Sequence, residues 1–501
     1  MPEPCDAVFE RIILMNKKRI FTLLLALVMV LSLVFAASCT KKKTGNGKDP
    51  NGSDSNKNNG TVTEPTLPDE TYDGREFRIH MRAGAEREFY VEEDSTNPLT
   101  SALYKRNTKV QDTYDVEIVP VTSEGGSGLY AQVDEIIDMF LSGEDTFDLT
   151  NTMVVASGGL VTNNVLVNWE DAKYTQLGGS WWLSGANDQF RIYDQVYVAV
   201  GASNMTSLRY TYAMMFNETM GDTLKITDDV YDAIDNNEWT MDKFLTFTQD
   251  VYSDTDDVSG RSEGDRYGFV AEDLTNLDVY PQAFQLTIIS PDEDEGMIYT
   301  FPSETLYTAV DKVLNLYNSA DSYIFSEAGK EGHQFRLGNS LFATMMIETA
   351  IGGGLELMED VYCILPYPML DEEQDGYSSG LMDNYTVLGL YYYSDHDFVS
   401  GITEALNVEA EKILYPAYYE EALCKKYVTN ERYVEMVDIV LEGRRFDLAT
   451  LFQGQVSRVS MAFRDVCRSG ENMMKEYIDS TTDNIEKAIG EIIKSYKEKR
   501  K

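Results

Sequence analysis

The chain has 501 residues, 43% hydrophobic and 11% aromatic, enough to bury a large core in more than one lobe, which excludes a disordered polypeptide. It carries 84 acidic against 42 basic side chains, a formal net charge of -42 that repels nucleic acid and anionic lipid and favours neutral or cationic ligands, while also keeping an outer surface soluble. Of the five cysteines, Cys5 and Cys39 lie in the leader region, and Cys363, Cys424 and Cys467 are too few and too widely spaced for a disulfide framework. Cys363, in the apolar run VYCILPYP, reads as a core residue, and a Cys424–Cys467 bridge stays open.

Met15 to Cys39 has the order basic, apolar, small, cysteine: Lys17, Lys18 and Arg19, then Ile20 to Phe35, then Ala36-Ala37-Ser38. That order is an export signal, with Met15 as the natural start and residues 1–38 as the signal region. It resembles a bacterial lipoprotein signal, in which the cysteine is lipidated and becomes the mature N-terminus; Ala36 stands where leucine is more usual. The competing reading is a permanent membrane anchor, since the apolar run is about long enough to span a bilayer. Residues 39–70, rich in Gly, Asn and Ser and without hydrophobic period, read as a flexible tether from Cys39 to the folded part.

From residue 71 the pattern becomes that of a folded domain. EFRIHM alternates Phe77, Ile79 and Met81 with polar neighbours and predicts a strand followed by a turn at Arg82 to Ala85. Leu99 to Tyr114 carries Leu103, Val110 and Tyr114 at helical spacing, and Val116 to Val121 predicts a second strand. Val133, Ile136, Ile137, Phe140 and Leu141 mark one helix face, and FDLTNTMV a third strand. Strand, helix, strand, helix, strand predicts a parallel sheet covered by helices, with ligand contacts beyond the carboxyl ends of its strands. Val165 to Phe216 changes character, with Trp169, Trp181, Trp182 and Tyr197 amid Gly and Asn. Helical period returns in NEWTMDKFLTFTQDVY, starting at Thr240, and in ETLYTAVDKVLNLYN; SLFATMMI and VYCILPYPML are apolar runs of a second α/β lobe. The last third reads as helix, with Val434, Val437 and Leu441 on one face and Ile485, Ile489, Ile492 and Tyr496 on another.

The chain has no P-loop, G-x-S-x-G elbow, C-x-x-C or H-E-x-x-H, and its three histidines, His80, His333 and His396, stand far apart, so neither a zinc site nor a histidine-based triad is expected. No cofactor is implied. A glycosidase pair needs two carboxyls at a defined separation, which counting cannot reveal; Glu348, directly after SLFATMMI, is the first acid to examine. Asp254, Asp256, Asp257 and Asp265 cluster around two glycines in the manner of a calcium loop, but their spacing fails the EF-hand template and a solvated acidic loop is favoured. Sugar rings present C–H faces to aromatic rings and hydroxyls to planar polar groups, a combination the tryptophan-rich stretch offers, although tryptophan is most often simply core.

In their order, YDGREFRI, YKRNTKVQDTYDVEI, GGSWWLSGANDQFRIYDQVYVAVG, MMFNETM, NEWTMDKF and DRYGF, then ILPYPMLDEEQDGY and PAYYEEALCKKYVTNERYVEMVDIV, resemble the extracellular solute-binding lipoproteins of bacterial ABC importers. The resemblance implies a two-lobed, periplasmic-binding-protein-like α/β fold of type II with a hinge. Its first lobe would take about 71–200 plus about 369–420, its second about 201–368 plus about 421–501. It also implies a monomer that closes on a small solute, commonly carbohydrate, and hands it to the permease subunits without covalent chemistry. Two departures bear on this: the 254–265 loop lacks the tidier Asn-Gly-Asp pattern, and Gly201-Ala202 stands where Gly-Asp is common. The expected ligand residues are Arg82 and Glu88 by the first strand, Asn151 and Thr152 after the third, Trp181 and Trp182 at the crossover, Trp239, Glu348 and Tyr385. The tryptophans and Tyr385 would stack, and the rest would bond hydroxyls. A surface glycan-degrading enzyme and an orphan sensing or adhesion lipoprotein are the alternatives.

Overall fold

The computed structural model describes residues 62, 64–125, 128–256, 258–352, 354–424 and 431–499. The export segment, Cys39 and the tether as far as residue 61 lie outside the described residues, as does Asp257. Among the described residues no helix is long and apolar enough to cross a membrane.

Two five-stranded sheets organise two lobes. In the first, β1 (Arg75–Met81) pairs in parallel with β2 (Val116–Thr122) and β3 (Leu149–Met153). Phe77, Ile79 and Met81 are fully buried as their alternation predicts, and so is His80 on the opposite side, because this sheet is covered on both faces. The connecting helices are Pro98–Tyr114, whose N-cap Asn97 accepts from Thr100 N at 3.0 Å, and Ala131–Ser142. Val133 and Ile136 are buried in the second helix, but Leu141, expected on the same face, is 74% exposed. Five residues past Ile136 puts it about 140° round the helix, away from the sheet.

The expected parallel order holds only for these three strands. β12 (Thr386–Tyr391) enters antiparallel between β3 and β4 (Leu166–Val167), giving the order β2-β1-β3-β12-β4. The chain reaches β12 on its return from the other lobe and therefore runs against its neighbours. The second sheet is also mixed, ordered β11 (Tyr362–Leu365), β5 (Tyr212–Asn217), β10 (Ser340–Met346), β6 (Tyr267–Glu272), β9 (Ser322–Phe325); β10 runs parallel to β6 and antiparallel to β5. Cys363 is buried in β11, and Cys467 is a free, buried thiol.

Helices Met241–Thr248 and Glu304–Tyr317 begin where the sequence places them, capped by Thr240 on Lys243 N at 3.4 Å and by Ser303 on Leu306 N at 3.1 Å. Three short extended segments pass between the sheets side by side. Tyr212 N donates to Gly380 O and Met382 N to Tyr210 O, each at 3.0 Å, while Ser379 N donates to Gly443 O and Arg445 N to Ser379 O, each at 2.9 Å. The C-terminal segment reaches back to the first lobe: helix Leu448–Leu451 lies on helix Val154–Thr162, so close that a Cβ on Gly158 would stand 2.4 Å from Leu451 O. Helix Met474–Lys499 packs Ile485, Ile489, Ile492 and Tyr496 inward, as their spacing predicts.

Candidate functional site

The first crossing segment is stitched to the first sheet by buried amides and hydroxyls. Asn204 Oδ1 accepts from Gly201 N at 3.0 Å, and its Nδ2 donates to Asn151 Oδ1 and Thr386 Oγ1, each at 3.3 Å. Thr206 Oγ1 accepts from Thr386 N at 2.9 Å and shares a 2.9 Å bond with the Thr386 hydroxyl. All these side chains are buried, so every polar atom needs a partner, and the partners they choose lock the crossing segment to the start of β12.

On this base sits a half-buried group of charges. Glu88 ends the turn Glu86–Glu88 that follows β1, and its Oε2 accepts from Asn151 Nδ2 at 3.4 Å. Burial raises the Glu88 carboxyl above its usual range, against the opposing pull of Arg82, Asn151 and Arg209. Arg209 closes the short helix Thr206–Arg209 and forms a two-pronged pair with Glu348, Nε to Oε2 at 2.6 Å and Nη2 to Oε1. Glu348 stands in helix Ile347–Gly352, directly beyond β10 of the second lobe. The Tyr210 hydroxyl titrates above its usual value because of burial and then Glu88, and it also feels Arg209, Glu348 and Arg82. Two carboxylates, two guanidiniums, an amide and a phenol thus meet where first lobe, crossing segment and second lobe converge. The charges balance, and the set contains both hydrogen-bond donors and acceptors.

Of the residues expected from sequence, Arg82, Glu88, Asn151 and Glu348 come together here. Thr152 and Asn151 lie within β3 rather than after it, and Thr152 is buried with its hydroxyl 2.7 Å from Ser157 Oγ. Tyr385 is buried just before β12 with its ring edge-on to Phe446. Trp181 and Trp182 are buried, each directing its indole N–H at the same carboxylate, Glu404, at 2.5 and 2.9 Å. Trp239 is wholly enclosed in the second lobe, donating to Pro366 O at 3.0 Å. These indoles are spent on the interior, where an aromatic with a polar handle finds a partner. Sequence reasoning passed over Arg209, Tyr210, Asn204 and Thr386; a charged residue in the buried run SLRYTYAMMF was the one available signal. Asp254, Asp256 and Asp265 do converge, but the oxygens of Asp265 accept from Thr255 N, Ser262 N and Tyr252 Oη, and those of Asp256 from Val258 N and Ser262 Oγ.

No protein-family model matches the chain, and no curated protein does. Solved structures do match. An ABC transporter solute-binding protein from Thermotoga lettingae bound with α-D-tagatose aligns over 83% of this chain and 100% of its own, with 11% identity and a TM-score of 0.53. The maltose-binding periplasmic protein MalE from Listeria monocytogenes, in complex with maltose, covers 84% and 99% at 12% identity and a TM-score of 0.52. UgpB from Mycobacterium tuberculosis, in complex with glycerophosphocholine, covers 83% and 98% at 13% identity and a TM-score of 0.51. At such identities the likeness concerns the fold: this chain has the two-lobed, periplasmic-binding-protein-like α/β fold.

Proposed function

We propose that this protein captures a small neutral solute between its two lobes and delivers it to the permease of an ABC importer. The finer reading is that the solute is an oligosaccharide, that Cys39 is lipidated on the outer face of the cell membrane, and that no covalent chemistry is done. The lobes would take about 71–200 plus 369–420 and about 201–368 plus 421–501, with the crossing segments as the hinge. The observation that supports this best is the convergence of Glu88 and Asn151 from the first lobe, Arg209 from the crossing segment and Glu348 from the second. A solute that contacts all of them gains bonds in the closed arrangement that it lacks in the open one, and only such a difference drives closure. Balanced charge with both donors and acceptors present suits hydroxyls, which both give and accept. The solved structures of this fold were captured with tagatose, maltose and glycerophosphocholine, the first two of them sugars.

The test is thermal unfolding of the full chain in detergent against mono- and oligosaccharides, amino acids and short peptides, with each ligand recovered for product analysis. A ligand at a hundred times its dissociation constant stabilises the fold by about 2.7 kcal/mol, a clear shift of the midpoint. The expected result is a shift with one sugar class, the sugar returned intact. Glu88→Gln and Asn151→Ala should each weaken that binding about tenfold or more. A shift with amino acids or peptides alone overturns the carbohydrate reading, and a cleaved sugar overturns the binding-protein reading in favour of a glycan-degrading enzyme.

A further inference from the structure

A cavity of about 290 Å³ shares none of its lining residues with the proposed inter-lobe cleft around Glu88, Asn151, Arg209 and Glu348. Its walls come from four places: Gln189 at the end of helix Ser184–Gln189, the Gln282 to Thr287 turn, the crossing segment at Asp375 to Ser378, and the Glu442 to Asp447 segment that runs beside it. The lining is mostly polar, with charges of both signs in Asp375, Glu442, Arg444 and Arg445.

Part of that wall is already satisfied by the protein. Ser378 Oγ accepts from Gln285 Nε2 at 3.0 Å and from Arg445 Nε at 3.3 Å, and Asp447 accepts from the backbone N–H groups of Ile288, Ile289 and Ala449. Two atoms are not. Gln189 Nε2, a donor, and Gln282 Oε1, an acceptor, are both buried from water and have no hydrogen-bond partner among the described residues. Leaving such groups unpaired is costly, and native interiors rarely do so without a reason. The terminal amide torsion of glutamine is soft, so a guest supplying an acceptor to Gln189 and a donor to Gln282 can recruit both. Arg445 is exposed beside them and keeps its outer nitrogens available once Nε is engaged.

We infer that this cavity is an accessory site for a small neutral polyol or monosaccharide, held by Gln189, Gln282 and Arg445. Mixed charges disfavour an ion of either sign, whereas a hydroxyl pair both donates and accepts, as the two unpaired amides require. The volume sits at the lower end of small-molecule sites, about 300–1,000 Å³, which fits one sugar ring and not a chain. The site does not depend on the cleft reading, since it shares no residue with it.

The experiment is a calorimetric titration of the full chain in detergent with glucose, mannitol, glycerol and myo-inositol, repeated on Gln189→Leu, Gln282→Leu and the cleft variant Glu88→Gln. Folding of each is checked by circular dichroism and its unfolding midpoint. The expected result is binding of at least one probe that falls about tenfold in each glutamine variant and is unchanged in Glu88→Gln. Loss in Glu88→Gln but not in the glutamine variants would assign the probe to the cleft and overturn the proposal. So would equal binding in every variant, or no binding by any of the four probes. Should a leucine variant fail to fold, Gln189→Glu, which withdraws the donor, and Gln282→Met, which withdraws the acceptor, replace it, each keeping about the same size.

Discussion

Individual residues show where a sequence hint and a structural role part company. Trp181 and Trp182 stand out in sequence as stacking faces, yet both indoles converge on Glu404, a carboxylate with no exposure at all. Nothing in the sequence pairs residues more than two hundred positions apart, so this clamp was illegible there. Burial pushes Glu404 up to about 7, against the lowering pull of the two indole N–H groups. With its unfolded value near 4.5, the folded chain holds a proton that the unfolded chain has lost, so stability falls as pH rises from about 4.5 through 7. Asp447 and Glu331, each also raised to about 7 by burial, act in the same sense. His80, buried and lowered to about 4, acts oppositely and costs stability as pH falls below its usual value near 6.5. Glu404→Gln removes one titration and leaves one indole N–H short of an acceptor at every pH. Wild type should therefore lose ground to the variant by on the order of 1–3 kcal/mol between about pH 5 and 8, read as unfolding midpoints across that range. A constant difference across the range would show that Glu404 does not titrate there. Trp239, enclosed and bonded to Pro366 O, should cost about 3–5 kcal/mol as Trp239→Ala, with any retained ligand affinity unaltered.

Among the elements, those with a clean period were legible and those buried on every side were not. The alternation of Phe77, Ile79 and Met81, the start at Thr240 and the helical period of ETLYTAVDKVLNLYN identified strands and helices correctly. YAMMFN and TVLGLY are buried along their whole length, so neither shows a period of two, and both β5 and β12 went unread. Missing β12 hid the antiparallel insertion and with it the return crossing. The candidate site was half-legible for the same reason: Glu88 and Glu348 follow strands that could be read, whereas Arg209 stands just before β5, which could not. The contact between helices Val154–Thr162 and Leu448–Leu451 rests on a glycine. Gly158→Ala would drive a methyl against the carbonyl of Leu451, with Phe452 Cδ1 at 2.9 Å, and backbone cannot yield as a side chain can. A loss of about 1–3 kcal/mol is expected. Gly490, in the interior of helix Met474–Lys499 with nothing within 4 Å of its would-be Cβ, is the control. Gly490→Ala should raise stability by about 0.5–1 kcal/mol. Denaturant midpoints of the two variants, moving in opposite directions, would support the contact; a neutral Gly158→Ala would refute it.

For the whole molecule, the question is how two lobes joined by three crossing strands and a C-terminal brace respond to a ligand. Arg209 sits on the path between them, bonded to Glu348 of the second lobe and felt by Glu88 of the first. Its pair with Glu348 is part-exposed, at 29% and 36% of the two side chains, so solvent screens it and its share of stability is small. Its position matters more than its strength. In the proposed closed state the solute displaces water from between these charges, and a bond that water had weakened becomes worth more. Glu348→Gln should therefore leave the ligand-free unfolding midpoint within a degree or two, because a surface pair contributes about 0–1 kcal/mol. The same change should weaken solute binding about tenfold or more, since one acceptor of the cluster is lost and Arg209 is released toward Glu88. Titration gives the affinity, and small-angle scattering with and without the solute gives the radius of gyration, which should contract in wild type and contract less in the variant at equal concentration. If affinity is unaltered while the midpoint drops, the pair serves the fold alone and the solute does not reach the second lobe through Glu348. If both affinity and compaction fall while the midpoint holds, the ion pair is the contact through which the second lobe registers what the first has caught.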